Sequence, residues 1–141
     1  MNAIEHITFT LPGEPRAMPR PNTVGRSRKT PAWAKAHKEA LGWARKAAYR
    51  GELPEGPCSV EISARFAVPK SWPKWQREMA LVGEWPHIVK PDNDNLEKMV
   101  FDALLPNDQR IFSNSTDKAY SAEPRTVVTM TFYEMPKKDT T

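Results

Sequence analysis

An amphipathic segment between two prolines, Pro91 and Pro106, places the tightest constraint on the fold. Pro91 disfavours helix at Lys90, so we expect a helix to begin after it, capped by Asp92 or Asn93, and to end at Pro106. Its apolar residues recur at the i, i+3, i+4, i+7, i+8 spacing of a helix that packs on a core, and they are Leu96, Met99, Val100, Ala103 and Leu104.

The opposite side of this predicted helix carries a polar ridge. Asp94 and Lys98 lie opposite the apolar stripe on a helical wheel, and Asp102 is one step round from Lys98. Asp92 lies at the positive end of the helix dipole, and Asp108 follows in a short turn. Clustered carboxylates supply the oxygen ligands that hard divalent cations require. Singly, each residue also fits an ordinary cap or exposed ion pair.

The whole string from residue 90 to 109 resembles the signature of the RusA family of Holliday junction resolvases. It reads Lys-Pro-Asp-x-Asp-Asn-Leu-x-Lys-x-x-x-Asp-Ala-Leu, followed shortly by Asn-Asp-x-Gln. These proteins are crossover-junction endodeoxyribonucleases, often carried by phages and prophages. The resemblance covers most of the chain, since its other parts are Leu11 to Pro15, the pairs Arg20-Pro21 and Thr30-Pro31, and Val68 to Trp72 leading to Trp85-Pro86-His87.

The resemblance implies Mg²⁺-dependent cleavage of DNA and assigns roles to five residues. Asp92, Asp94 and Asp108 are implied as catalytic, metal-binding acids. Lys98 is implied as a catalytic point charge that touches the scissile phosphate. Asp102 matches a family position on the helix, and we expect it to orient Lys98 from a second layer rather than to bind the metal directly.

One position departs from the family pattern, which usually has two adjacent acids before the glutamine. Here the first of the two is Asn107, so we place the metal-binding role on Asp108. The departure keeps open a different class of function, a protein that binds junctions or other DNA without cleaving it. A metal-dependent nuclease that prefers flaps or replication forks is a second alternative.

A basic balance favours a polyanionic partner, because the formal net charge is +4. The segment 13–31 is rich in Pro, Gly and Arg, which predicts a flexible loop that is either simply solvated or ordered on DNA phosphates. We predict DNA contacts from Arg16, Arg20, Arg26, Lys90 and Lys118, the last of which matches a lysine that recurs in the family. A four-way junction has approximate two-fold symmetry, and the family is dimeric, so the resemblance implies a C₂ homodimer.

Periodicity over the rest of the chain predicts one α+β domain, residues 1–141, with helices packed on a mixed β-sheet. A helix should follow Thr30, its cap, and stop at Gly51, with an apolar face of Trp33, His37, Ala40, Leu41, Ala44, Ala47 and Ala48. Strands are predicted over 4–11, 59–68, 110–120 and 125–134, a short helix over 73–81, and a polar tail over 135–141.

Several classes of protein and site are disfavoured by the sequence. Cys58 is the only cysteine, so an intramolecular disulfide is impossible, and with three scattered histidines a zinc site is not expected. No apolar run is long enough for a membrane span, and we expect the cytoplasm of a bacterial or phage-infected cell. Trp72, Trp75 and Trp85 either stack on unpaired bases or, as we favour, cover the edge of the core or a dimer surface.

Overall fold

The computed structural model describes residues 1–19, 30–105 and 108–138. Within these ranges the order of the predicted elements is confirmed, and their ends differ from the prediction by a few residues. The elements are β1 (Ala3–Pro12), α1 (Ala32–Ala48), β2 (Cys58–Phe66), α2 (Lys74–Leu81), α3 (Asn93–Leu104), a 3₁₀ helix (Asp108–Arg110), β3 (Ile111–Tyr120) and β4 (Arg125–Tyr133).

The described strands form one mixed sheet in the order β1-β4-β2-β3. The β1–β4 and β4–β2 pairs are antiparallel, whereas β2 and β3 are parallel. Parallel neighbours need a long crossover connection, and the chain between β2 and β3 provides one that contains α2 and α3. The predicted α+β domain with a mixed sheet is therefore confirmed, and β3 lies at an edge of the sheet, next to the helix that carries the acidic motif.

Helices α1 and α3 pack on one face of the sheet. Alternate strand residues form this core, and the register aligns Val60 with Met130 across the two central strands. The buried residues contributed by the sheet to this cluster are Ile7, Phe9, Cys58, Val60, Ile62, Val128, Met130 and Phe132. The opposite face is polar, with Thr8 and Thr129 joined through their hydroxyl groups at 3.1 Å.

The apolar stripe of α3 fixes how this helix is rotated on the sheet. Leu96, Met99, Val100 and Leu104 are buried as predicted, and Ala103 is half-buried. Each fully buried Leu, Met or Val side chain contributes about 1.5–3 kcal/mol to the free energy of unfolding. Because the apolar side packs on the sheet, Asp94, Lys98 and Asp102 lie on the exposed side of the helix.

The predicted apolar face of α1 is partly wrong. Leu41 is buried as predicted, but the other buried residue of the helix is Ala34, whereas Trp33, Ala47 and Ala48 are exposed. Alanine favours helix mainly through backbone propensity and buries little apolar area, so an alanine-rich wheel does not determine which side packs.

Both ends of α1 also differ from the prediction. Pro31, not Thr30, occupies the cap position, and no side chain caps the helix there. The helix ends at Ala48 rather than at Gly51, and Arg45 donates from Nη1 to the carbonyl oxygens of Tyr49 at 3.2 Å and Gly51 at 3.1 Å. A basic side chain thus satisfies carbonyl groups just beyond the helix end.

Candidate active site

Two aspartates of the acidic motif lie at the N-terminus of α3. Asp92 occupies the N-cap position, where its carbonyl oxygen accepts from the Leu96 amide at 3.2 Å. The predicted cap position is therefore right, although the side chain of Asp92 does not make the capping hydrogen bond. Asp94 lies in the first turn, and its Oδ1 accepts from the Asn95 amide at 3.0 Å. Both side chains are exposed at the end of the helix that favours negative charge.

The polar ridge continues along α3 through Lys98 and Asp102. Asp94, Lys98 and Asp102 are each four residues apart, which corresponds to a rise of about 6 Å along the helix axis between one charged residue and the next. The carboxylate of Asp102 is 3.6 Å from Nζ of Lys38 on α1, a partly exposed pair that contributes about 1 kcal/mol or less. The role of Asp102 in orienting Lys98 stays a prediction.

The first turn of α3 is attached to the edge strand β3. Asn93 donates from Nδ2 to the carbonyl oxygen of Thr116 at 3.2 Å, and the Thr116 hydroxyl donates to Oε1 of Glu97 at 2.8 Å. Both contacts use one residue of β3, whose Cα is in register with Ile62 of β2. The acidic end of the helix is therefore fixed to the sheet by polar contacts as well as by its apolar stripe.

Lys118, two residues further along β3, holds the backbone that leads into the acidic motif. Its Nζ donates to the carbonyl oxygen of Val89 at 2.8 Å and to that of Pro91 at 2.9 Å, and the Lys90–Pro91 peptide bond is cis. We predicted Lys118 as a DNA contact from its charge and the family resemblance. Its position beside the acidic motif is consistent with that, but hydrophobic periodicity gives no signal for a contact to a distant carbonyl oxygen.

His87 anchors the start of the same segment, and the sequence assigned it no role. Its ring stacks on Phe66 with 4.1 Å between centroids and lies 4.8 Å from the ring of Tyr120. Burial lowers the pKa of His87, and the positive charge of Lys118 lowers it further. The neutral ring is therefore part of the core. The segment that leads to the acidic motif begins with this buried residue and continues with the exposed residues 88–90.

The start of the basic segment runs past the N-terminus of α3. The amide of Met18 donates to the carbonyl oxygen of Asn95 at 3.0 Å, and the guanidinium of Arg16 lies 5.2 Å from the ring centre of Trp33. Burial, and then the charge of Arg16, lowers the pKa of His37. Two further predicted DNA contacts, Arg20 and Arg26, lie outside the described residues, as does much of the predicted loop, while Lys90 is exposed beside the motif.

The third predicted acid, Asp108, begins the 3₁₀ helix that leads into β3. This helix is fixed by Arg110, which donates from Nε to the carbonyl oxygen of Gly56 at 3.0 Å and from Nη2 to that of Pro54. The side chain of Asp108 and the whole of Asn107 lie outside what the structure describes. The metal-binding role of Asp108 stays a prediction.

Asp92 and Asp94 suit a hard divalent cation by the chemistry of their oxygen atoms. Among the side chains that the structure describes, which do not include that of Asp108, no three His, Cys, Asp or Glu are grouped so as to hold a metal ion. Magnesium is commonly held by one or two carboxylates together with water and substrate phosphate, so this pair fits that ion without a third protein ligand. Asp92 and Asp94 would hold it, together with Asp108 if the role that the family resemblance implies for that residue is right.

Two of the three tryptophans near α2 cover the edge of a second core cluster, as we favoured. This cluster consists of Ala64, Phe66, Ala80, Leu96 and Tyr120. Trp72 and Trp85 are half-buried against it, and the Trp72 ring lies 5.9 Å from that of Trp85 and 5.2 Å from that of Tyr120. Trp75 contacts Trp85 but is exposed. In the part of the chain that the structure describes, no helix is both long and apolar enough to cross a membrane.

Comparison with known proteins decides the family. The profile described as "Endodeoxyribonuclease RusA" matches residues 12–131 of the 141. The chain belongs to the RusA endodeoxyribonuclease family. The match includes α3, the 3₁₀ helix and β3, so every candidate residue above lies inside it. Members of this family are hydrolases that cut DNA. No curated protein matches the chain.

Proposed function

We propose that this RusA-family protein is a Mg²⁺-dependent endodeoxyribonuclease that resolves Holliday junctions by paired symmetrical nicks in DNA recombination and repair. The observation that carries the proposal is the pair of exposed aspartates, Asp92 and Asp94, at the N-terminus of a helix whose rotation is fixed by a buried stripe. An exposed carboxylate pair beside Lys98, in a chain of a DNA-cutting family, suits phosphodiester hydrolysis better than it suits simple helix capping.

Hydrolysis of a phosphodiester requires an activated water, neutralisation of developing charge and a stabilised leaving oxygen. Bound Mg²⁺ would supply Lewis acidity and a more acidic water. Asp92, Asp94 and Asp108 are the proposed residues that hold it, and Lys98 is the proposed contact to the scissile phosphate. An ammonium group placed there stabilises the charge that develops on the phosphate oxygens. Asp102 is proposed to orient Lys98.

Basic residues near the motif are the proposed contacts to the remaining phosphates. Arg16 and Lys90 lie on exposed surface close to α3, and Arg20 and Arg26 follow in the basic segment. Each phosphate that such a residue neutralises adds salt-dependent affinity. The family resemblance places Lys118 in this group, but its contacts to the carbonyl oxygens of Val89 and Pro91 argue for another role, given below.

A homodimer completes the proposal. A four-way junction presents two equivalent strands for cleavage, and one protomer has one acidic turn at α3. A C₂ dimer supplies two such turns related by the same symmetry as the junction. The proposed substrate is cellular or phage DNA in the cytoplasm.

The test is cleavage of a panel of synthetic DNAs by the wild-type protein at one salt concentration. A four-way junction, a flap, a replication fork and a linear duplex would each be incubated with Mg²⁺ or with EDTA. We expect paired nicks at symmetrical positions of the junction that require Mg²⁺. Preferential cutting of flaps or forks would support a nuclease with a different substrate, and junction binding without cleavage of any DNA would contradict the enzyme.

Asn107 is the sequence observation that favours the second candidate, a non-catalytic binder of branched DNA, because an amide replaces one acid of the family pattern. The same panel separates the two functions, since a binder would retain affinity for the junction in both Mg²⁺ and EDTA and would nick nothing.

A further inference from the structure

Residues 88–90, which follow His87, are exposed, yet their backbone is held. His87 is 6% exposed, whereas Ile88 is 80% and Val89 is 57% exposed, and Lys90 is exposed as well. Exposed side chains bury little apolar area, so they do little to stabilise one backbone conformation over others. The path of residues 88–90 therefore depends on contacts made by the main-chain groups of this segment and by the half-buried Pro91 that follows.

Lys118 makes two of those contacts from a rigid position. Its Cα is in register with Ala64 of β2, which is fully buried in the sheet. The side chain lies on the helix-covered face, is half-buried, and donates to the carbonyl oxygens of Val89 and Pro91 at 2.8 and 2.9 Å. Hydrogen bonds from a charged donor are shorter and stronger than those between neutral groups.

Both accepting carbonyls lie just before Asp92. The Pro91 carbonyl belongs to the peptide unit that joins directly to Asp92, so fixing its orientation limits where the Asp92 backbone can lie. On the other side of that residue, Asn93 donates to the Thr116 carbonyl at 3.2 Å. Strand β3 therefore holds the chain on both sides of Asp92, through Lys118 and Thr116.

We infer that Lys118 is a positioning residue, which holds the Val89–Pro91 backbone and so sets the placement of Asp92, rather than a residue that contacts DNA phosphate. The inference rests on the proposed function for its catalytic consequence, but the backbone contact itself does not. Two of the three N–H donors of its ammonium group are engaged by the chain's own carbonyl oxygens, whereas the side chain of Lys90 in this segment is exposed to solvent.

Salt dependence of junction binding separates positioning from phosphate contact. Binding would be measured in EDTA over a range of salt for the wild type, Lys118→Met and Lys90→Met. We expect Lys118→Met to keep the wild-type slope of log K against log salt. The matched control Lys90→Met should lower that slope by about 1, the signature of one lost phosphate contact. A slope lowered by about 1 in Lys118→Met would overturn the inference.

Amide hydrogen exchange supplies a readout that needs no activity. In Lys118→Met, we expect peptides that cover residues 86–93 to exchange severalfold faster than in the wild type, with β1, β2 and β4 unchanged. Lys90→Met should exchange as the wild type does. Unchanged exchange of residues 86–93 in a folded Lys118→Met protein would contradict a positioning role.

Cleavage at saturating junction links the backbone contact to catalysis. We expect Lys118→Met to slow it about 10- to 100-fold, as loss of a group that orients a ligand does. Lys118→Arg keeps the charge but changes the donor geometry, and it remains informative if Lys118→Met does not fold. We expect Lys118→Arg to keep the salt slope and to cleave severalfold more slowly, whereas wild-type cleavage would contradict the inference. Should the wild type cut no junction, the proposed function fails and the exchange comparison still decides the role of Lys118.

Discussion

At the scale of single residues, His87 is a buried polar group that packs in the core and lies five residues before Asp92 of the candidate site. The ring is stacked on Phe66 and lies near Tyr120 and the ammonium of Lys118. Among the described residues, its Nδ1 is buried without a hydrogen-bond partner. Protonation would place a second positive charge in a poorly solvated place, so the folded protein holds the ring neutral.

This environment predicts a loss of stability in mild acid. The pKa of His87 is lower in the folded than in the unfolded chain, so the unfolded chain binds more protons below about pH 6.5. The free energy of unfolding should fall as pH decreases from about 6.5 towards the folded pKa, by at most about 1.4 kcal/mol per pH unit for this group. Urea unfolding at pH 7.5 and pH 5.5 measures the change.

The matched variant is His87→Phe, which keeps an aromatic ring against Phe66 but cannot titrate. Its stability should fall less than that of the wild type between the two pH values. Part of the loss should remain, because burial also lowers the pKa of His37. An equal loss in the variant and the wild type would show that His87 does not carry the effect.

At the scale of secondary-structure elements, α3 is held by both an apolar stripe and polar contacts to β3. The stripe rotates the helix so that Asp94 and Lys98 are exposed, and Thr116 fixes the first turn through Glu97 and Asn93. The apolar stripe alone permits sliding and fraying at the helix start. The polar contacts are therefore what we expect to hold the acidic end in place.

Replacing Thr116 with valine should destabilise the protein by about 1–3 kcal/mol. The change keeps the β-branched shape but removes the hydroxyl that donates to the carboxylate of Glu97, and hydrogen bonds to charged groups are worth about 1.5–3 kcal/mol. Urea unfolding at neutral pH provides the measurement.

Thr129→Val is the control for Thr116→Val, since it is also a strand threonine with a hydroxyl contact. Its partner is the neutral hydroxyl of Thr8 on the other, exposed side of the sheet. It should cost less than about 1 kcal/mol. Equal destabilisation by the two substitutions would argue against a special role for the Thr116–Glu97 contact.

At the scale of the whole molecule, the sequence predicted the sheet and α3 better than it predicted α1. Alternating Val60 and Ile62, and the stripe through Leu96 and Met99, provide enough apolar area for the pattern to determine which side is buried. The alanines of α1 do not, and the predicted face was partly wrong. Sequence periodicity also carries no information about main-chain acceptors, so it could not predict the hydrogen bonds from Lys118 to the carbonyl oxygens of Val89 and Pro91.

The candidate site was predicted only in part for a related reason. The place of Asp92 and Asp94 at a helix start follows from local spacing, and the structure has them there, whereas their metal-binding role comes from the family resemblance and stays a prediction. The supporting contacts join distant parts of the chain, since Thr116 lies on β3 and His87 packs against Phe66 and Tyr120. Their contribution depends on the β2–β3 register, which the sequence did not specify.

The central claim is that the acidic turn of α3 is the catalytic centre. The most direct measurement is the single-turnover rate of four-way junction cleavage by Asp94→Asn, beside the wild type and Asp117→Asn. Asp117 is an exposed aspartate paired with Arg65 at 3.0 Å. It lies between Thr116 and Lys118 on β3, but its side chain is on the opposite face of the sheet, so its substitution should leave the rate unchanged.

We predict that Asp94→Asn binds the junction at least as tightly as the wild type, because it removes a negative charge near the DNA. Its cleavage rate in saturating Mg²⁺ should fall by more than about 100-fold, since a carboxylate that holds the ion is lost. Cleavage by Asp94→Asn at the rate of the wild type and Asp117→Asn would contradict the account.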